Sequence, residues 1–222
     1  MNAEPSGPVT RITFIRHGEV GKRENFYGRF PGYWLGPVGQ EQAQSTALAL
    51  EEDPLDALFA SPLLRTRQTA MAIHERQPGV PFATDVRLLE VFTRFDGCPM
   101  SVLEQRGYDL YTGEEPPYEQ PADVLRRLLD FAAEVMGGPH AGGHVAAVTH
   151  GDPLTFLLGW ALGLPVGPAT RNLLGECGLP ESYPGCCAMA TVTLKRTGEG
   201  IAAVNVRYRN PAAGIPVTDL PV

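Results

Sequence analysis

Two segments far apart in the chain each end an apolar run in His-Gly: Ile12-Thr13-Phe14-Ile15-Arg16-His17-Gly18-Glu19 and Val145-Ala146-Ala147-Val148-Thr149-His150-Gly151-Asp152. In an open α/β sheet, ligands gather beyond the carboxyl ends of the strands, so two histidines delivered by two strand tips can meet at one site. Arg16 directly precedes His17, which sets a nitrogen nucleophile beside a fixed positive charge. Phosphoryl transfer uses both. Its loose transition state spreads charge over the equatorial oxygens, and guanidinium forks match that geometry. A second arginine is then expected at another strand tip, where Ser61-Pro62-Leu63-Leu64-Arg65-Thr66-Arg67 offers Arg65 and Arg67.

The elements that must hold these residues alternate. Residues 10–16 read as a buried strand, followed by a Gly- and aromatic-rich loop and a helix over 40–51. A short strand at 56–60 closes on Ser61-Pro62, where Ser61 suits an N-cap and Pro62 the first position of a helix over 63–75. Residues 83–90 read as strand or extended chain. Residues 91–120, broken by Gly97, Pro99, Gly107, Gly113, Pro116 and Pro117, read as an irregular insertion that could roof a site. A patterned helix over 122–136 ends at Gly137-Gly138-Pro139, a strand follows at 145–149, and an apolar helix at 153–162. Two strands, 188–194 and 202–208, close the pattern. Strands separated by helices predict an α/β/α three-layer fold. Its central sheet is mostly parallel, with helices on both faces and an antiparallel edge. The expected domain is single, with residues 9–90 and 121–210 as its core and 91–120 as an insertion or cap.

The formal charge of −7 argues against broad binding to nucleic acid or an anionic membrane, since both need a surplus of Lys and Arg at the contact surface. With 43% apolar and 19% charged residues the composition is that of a folded globular chain. No segment reaches transmembrane length, and residues 1–8 lack the cationic start and apolar run of a leader, so a cytoplasmic location is the default expectation. Cys98, Cys177, Cys186 and Cys187 form no C-x-x-C pair and read as reduced thiols; on a strand, Cys186 and Cys187 would face opposite ways. A metal on His17 and His150 would need a further ligand and would be repelled by the neighbouring arginines, so no cofactor is expected.

Arg16-His17-Gly18-Glu19, then Ser61-Pro62-Leu63-Leu64-Arg65 with Gln68-Thr69-Ala70, then Thr149-His150-Gly151 together resemble the signature set of the histidine phosphatase superfamily, in its phosphoglycerate-mutase-like branch. The resemblance runs from about residue 10 to 195. It implies that His17 takes the phosphoryl group as a phosphohistidine and that Arg16, Arg65 and His150 hold the phosphate, Arg65 being preferred to Arg67. A covalent intermediate divides one hard displacement into two easier ones. His17 must attack as neutral imidazole, with its other ring nitrogen donating to a backbone carbonyl, and the motif glycine makes room. His150 is more useful protonated, as a donor to phosphate. Glu90, where this branch keeps its acid-base glutamate, is the expected proton donor, with Asp152 as the alternative.

Gly151, Asn25 and Arg29 complete the candidate binding set. Val20 stands where the family usually has Thr or Ser, and Asn25 arrives about two residues late, while Arg29 falls at the expected pocket rim. The implied activity is metal-independent hydrolysis of a phosphorylated small molecule. A phosphomutase is the nearest alternative, although Val91-Phe92-Thr93-Arg94-Phe95 lacks the Asn-Arg-Tyr stretch that mutases of this branch carry after the acid. A non-catalytic phospho-ligand sensor on the same fold is the alternative of another class.

Overall fold

The structure, a computed structural model, describes residues 9–21 and 24–222. The leader-free reading of residues 1–8 therefore lies outside the described residues. One seven-stranded sheet runs through the chain, built from β1 (Thr10–Arg16), β2 (Ala57–Ala60), β3 (Phe82–Thr84), β4 (His144–Thr149), β5 (Met189–Thr197), β6 (Gly200–Asn210) and β7 (Ile215–Leu220). Its strand order is β3-β2-β4-β1-β5-β6-β7. The first four in that order pair in parallel, while β5, β6 and β7 continue the sheet antiparallel.

Helices α1 (Pro37–Glu51), α2 (Leu64–Arg76), α3 (Met100–Gln105), α4 (Pro121–Gly137), α5 (Gly151–Ala161) and α6 (Thr170–Glu176) surround it. The period of two along each strand sorts the core into two layers. Ile12, Phe14, Val145 and Ala147 face a cluster with Phe131 and Leu128 of α4 and Leu154 and Leu158 of α5. Ile15, Ala146 and Val148 face the other way, onto Ala43, Ala47 and Leu50 of α1 and Ala70 and Ile73 of α2. Covered on both faces, β4 is buried at every position. That burial is why it reads as a continuous apolar run rather than an alternating one.

Several boundaries depart from the sequence reading for identifiable reasons. Helix α2 starts at Leu64 without a side-chain cap, because the Ser61 hydroxyl is turned instead onto His150 and the Ser61 carbonyl accepts from the Thr66 hydroxyl at 2.8 Å. The segment read as strand at 83–90 is only three residues of β3, followed by a 3-10 turn at Val86–Leu88. Strand β7 was hidden by Pro216, which is tolerated because β7 lies at the sheet edge. The Cys186-Cys187 pair precedes β5 rather than lying on it, with Cys187 buried at a φ of 61°. Residues 91–120 contain α3, and among the described residues no helix is long and apolar enough to cross a membrane.

Candidate active site

The register of β1 on β4 pairs Arg16 with Thr149, so the residues that follow, His17 and His150, leave the sheet side by side. The His17 amide donates to the Thr149 carbonyl at 3.0 Å, and the two imidazole centroids stand 5.2 Å apart. On the far side of β4, the Ser61 amide donates to the Val148 carbonyl at 2.9 Å, which sets the start of α2 against the same strand tip and brings Arg65 inward. Adjacent parallel strands thus deliver the three motif segments to one place.

The His17 ring is fixed at both nitrogens. Nδ1 lies 2.7 Å from the Gly18 carbonyl, an acceptor, so Nδ1 carries the proton. Nε2 accepts from Arg65 Nε at 3.2 Å, so it holds the lone pair. This is the neutral tautomer with Nε2 as the nucleophilic atom. Gly18 is required where it stands: a Cβ there would come within 2.5 Å of the Gly39 carbonyl oxygen at the start of α1.

Arg65 is fully buried and engaged at each nitrogen. Besides its bond to His17, it donates to the Gly28 carbonyl at 2.6 Å, to His150 Nδ1 at 3.2 Å and, more loosely, to the Phe30 carbonyl at 3.5 Å. The Tyr27 ring covers its guanidinium at 4.6 Å. His150 is equally buried, and it accepts from Arg65 through Nδ1 while Nε2–H donates to the Ser61 hydroxyl at 2.9 Å. Burial, reinforced by the positive charge of Arg65 and by His17, holds the His150 pKa well below the ordinary histidine value. The expectation of a protonated His150 is therefore corrected for this arrangement: beside Arg65, with the ring out of water, it is the neutral donor-acceptor that fits.

Glu90 lies in the cavity wall, 9% exposed, with one carboxylate oxygen accepting from the Val91 amide at 3.0 Å. Burial and the nearby Asp152 push its pKa up to about 7 against the pull of that amide, Arg65 and Arg16. Asp152 sits in the first turn of α5 and accepts from the hydroxyls of Tyr111 and, at 2.9 Å, Tyr183. Its charge is one cause of the raised Glu90 value. Removing that charge with Asp152→Asn should lower the Glu90 pKa and move the corresponding limb of the pH profile to lower pH; an unmoved limb in activity measured from pH 5 to 9 would show that Asp152 does not govern Glu90.

The remaining candidates divide. Arg16 lines the cavity, donates to the Pro184 carbonyl at 2.6 Å, and keeps a buried Nε without a partner among the described residues. Gly151 opens α5, and a Cβ there would fall 1.9 Å from the Tyr183 hydroxyl, so the absence of a side chain is what lets Tyr183 reach Asp152. Asn25 is exposed, and its backbone bridges to Pro99 outside the cavity lining. Arg29 turns away from the cavity: it donates to the Glu90 carbonyl at 2.7 Å and pairs with Glu119 at 2.7 Å. Arg127 joins the same group, donating to the Glu90 carbonyl at 3.2 Å and to Glu119 at 2.9 Å. Arg29, Arg127 and Glu119 thus clamp the backbone of Glu90. Sequence reading did not find Glu119, Arg127, Tyr111 or Tyr183, since no local motif marks a partner set drawn from four separate segments.

The cavity measures about 290 Å³, and Arg16, His17 and Glu90 are among the residues that line it. An imidazole poised as a nucleophile, flanking arginines and a carboxyl group that holds a proton near neutral pH suit phosphoryl transfer. A profile of the histidine phosphatase superfamily (branch 1) matches residues 12–181, and the chain belongs to that superfamily. It is 31% identical over 214 residues to the uncharacterized protein Rv0525 of Mycobacterium tuberculosis, covering 92% of this chain and 98% of that one. To a probable phosphoglycerate mutase GpmB of Yersinia pestis it is 30% identical over 193 residues, covering 77% and 83%. Among solved structures, the mycobacterial glucosyl-3-phosphoglycerate phosphatase Rv2419c superposes with a TM-score of 0.69 at 21% identity, covering 88% of this chain and 96% of that one. A putative alpha-ribazole-5'-P phosphatase of Escherichia coli gives 0.65 at 20% identity, covering 87% and 94%. These structural likenesses establish the α/β fold.

Proposed function

We propose that the chain is a metal-independent phosphomonoesterase acting through phospho-His17. The observation that carries this reading is the fixed His17 ring, with Nδ1 tied to the Gly18 carbonyl and Nε2 unprotonated beside Arg65. In the first step Nε2 attacks phosphorus, the P–O bond to the leaving group breaks, and the Glu90 carboxylic acid gives its proton to the departing oxygen. In the second, water attacks the phosphohistidine, Glu90 takes a proton from it, and the P–N bond breaks to release inorganic phosphate. Arg16, Arg65 and His150 would surround the phosphoryl group, whose negative oxygens offer an acceptor to the Arg16 Nε, unpartnered among the described residues, and replace present acceptors of Arg65 and His150. The four free cysteines suit a cytoplasmic setting.

The Glu90 pKa of about 7 gives a signed expectation. The first step needs the protonated acid, so kcat/KM for an alkyl phosphate should fall as pH rises above about 7. An ester with a good leaving group, such as p-nitrophenyl phosphate, needs little protonation and should fall much less. Glu90→Gln should cost alkyl phosphates about 10²–10⁴-fold and remove that limb. Stability falls with rising pH as well, for a separate reason. A carboxyl whose folded pKa is raised binds protons better folded than unfolded, so wild-type stability declines as pH rises from the ordinary glutamate value through about 7. At pH 8 Glu90→Gln should therefore melt higher than wild type; a lower melting temperature would contradict the buried-carboxylate account.

A phosphomutase reading has one supporting observation, the resemblance to GpmB. It differs in the acceptor of the second step, so rapid-quench measurement of the phosphoenzyme separates the two. Discharge to water within the turnover time supports hydrolysis, and an intermediate that decays only on adding a second hydroxyl compound supports transfer.

A further inference from the structure

Arg16 is cradled by the stretch between α6 and β5. Its amide donates to the Ala188 carbonyl at 3.0 Å, its carbonyl accepts from the Cys187 amide at 3.1 Å, and its Nη1 donates to the Pro184 carbonyl at 2.6 Å. The Tyr183 ring centroid lies 5.0 Å from its guanidinium carbon. A guanidinium is planar, so one anchored nitrogen and one ring against the group fix where its other N–H bonds point. Among these is the buried Nε, which has no partner among the described residues. The aim of Arg16 is therefore set by residues 183–188.

The Pro184 carbonyl belongs to the same peptide group as the Gly185 N–H, and in a trans peptide the two point opposite ways. On the side away from Arg16, that N–H donates to Glu181 Oε2 at 3.3 Å. The Glu181 carboxylate is itself seated by β6. Its Oε2 accepts from the Tyr208 hydroxyl and, at 3.1 Å, from Asn210 Nδ2, which also lies 3.3 Å from Oε1. Tyr208 and Asn210 are both buried. Burial and the bond to Glu181 push the Tyr208 phenol pKa up, so its hydroxyl is the donor. Asn210 Oδ1 accepts from the Ala213 amide at 3.3 Å, which leaves Nδ2 for Glu181. The fit leaves no room at residue 185, where a Cβ would come within 2.7 Å of Asn210 Nδ2.

We propose that Glu181, seated by Tyr208 and Asn210, is a positioning residue for Arg16, acting through the Pro184–Gly185 peptide group. This rests on the phosphatase reading for turnover but not for phosphate binding. Glu181 makes no bond to Arg16 among the described residues, so it acts by orientation: it holds the N–H end of the peptide and thereby points the carbonyl end at Nη1. A carboxylate on the N–H side also polarises that carbonyl and strengthens its bond to the cation.

The test is a double-mutant cycle read with p-nitrophenyl phosphate, whose leaving group needs little proton donation. Glu181→Ala should lower kcat/KM by about 10–10²-fold, the scale of a misplacement of about 1 Å. Glu181→Gln, which keeps an acceptor oxygen for the Gly185 amide, should recover most of that loss. In an Arg16→Ala background Glu181→Ala should cost less than about twofold more, because the group it orients is gone. Tyr208→Phe keeps the buried ring and should show a smaller loss that likewise vanishes without Arg16, so the cycle closes even where Glu181→Ala does not fold. Calorimetric titration with inorganic phosphate reads the same dependence without turnover. Losses that multiply with that of Arg16→Ala, or wild-type rates in both Glu181→Ala and Tyr208→Phe, overturn the positioning role and leave the phosphatase reading intact. Phosphate affinity that needs both Glu181 and Arg16, with no ester hydrolysed, upholds the role and overturns the phosphatase reading. Wild type that neither binds phosphate nor hydrolyses an ester overturns both.

Discussion

His17→Ala is expected to lower kcat by about 10⁴-fold or more and to leave no acid-labile phosphate on the protein after mixing with p-nitrophenyl phosphate. The expectation follows from chemistry rather than packing. In the structure His17 Nε2 is the ring nitrogen that accepts from Arg65, and the bond from Nδ1–H to the Gly18 carbonyl fixes the neutral ring in that tautomer. Alanine removes the atom that would bond to phosphorus while leaving Arg16, Arg65 and Glu90 in place. A residual rate from binding and electrostatics should survive, as it does when one member of a catalytic set is deleted elsewhere. Equal rates in wild type and variant, or phosphate incorporation that persists, would remove His17 from the chemistry.

Arg65→Ala carries the second large effect, on two axes. With the guanidinium gone, transition-state charge loses a buried donor, and kcat/KM should fall by about 10²–10³-fold. Stability should drop as well, because Arg65 is fully buried and its loss leaves the Gly28 carbonyl and His150 Nδ1 without their donor. Each buried group left unpaired costs roughly 1–3 kcal/mol. Arg65→Lys should recover little of either, since one ammonium cannot meet acceptors set around a planar fork. Melting curves measured beside the kinetics separate the axes. A variant that melts like wild type and turns over normally would show that Arg65 neither holds the loop nor serves the phosphate.

The parts of the site that sit on strand tips were legible because β1 and β4 announce themselves as apolar runs and their parallel register does the rest. Arg65 was separable from Arg67 only through resemblance to a family, since both fall on the first turns of α2. What stayed hidden depends on contacts between distant segments. Ser61 has the composition of a helix cap, yet His150 claims its hydroxyl. Arg29 looks like a rim cation in sequence, whereas Glu119, 90 positions away, draws it under Glu90. The raised pKa of Glu90 arises from burial and from Asp152, neither of which its local sequence encodes. Helix α6, seven residues long, leaves too short a pattern to read.

The backbone carbonyls of Gly28 and Phe30 already occupy N–H groups of Arg65 that a phosphate would use. On the proposed reading, phosphate entry would be an exchange of acceptors, and any affinity would be the intrinsic one reduced by the cost of freeing Arg65 from the 28–30 carbonyls. An ester would recover that cost through contacts along the cavity, whereas inorganic phosphate has no such contacts to make. If the phosphatase reading holds, the same turn should weaken binding of inorganic phosphate more than that of an ester, and product-inhibition constants measured for wild type would check it.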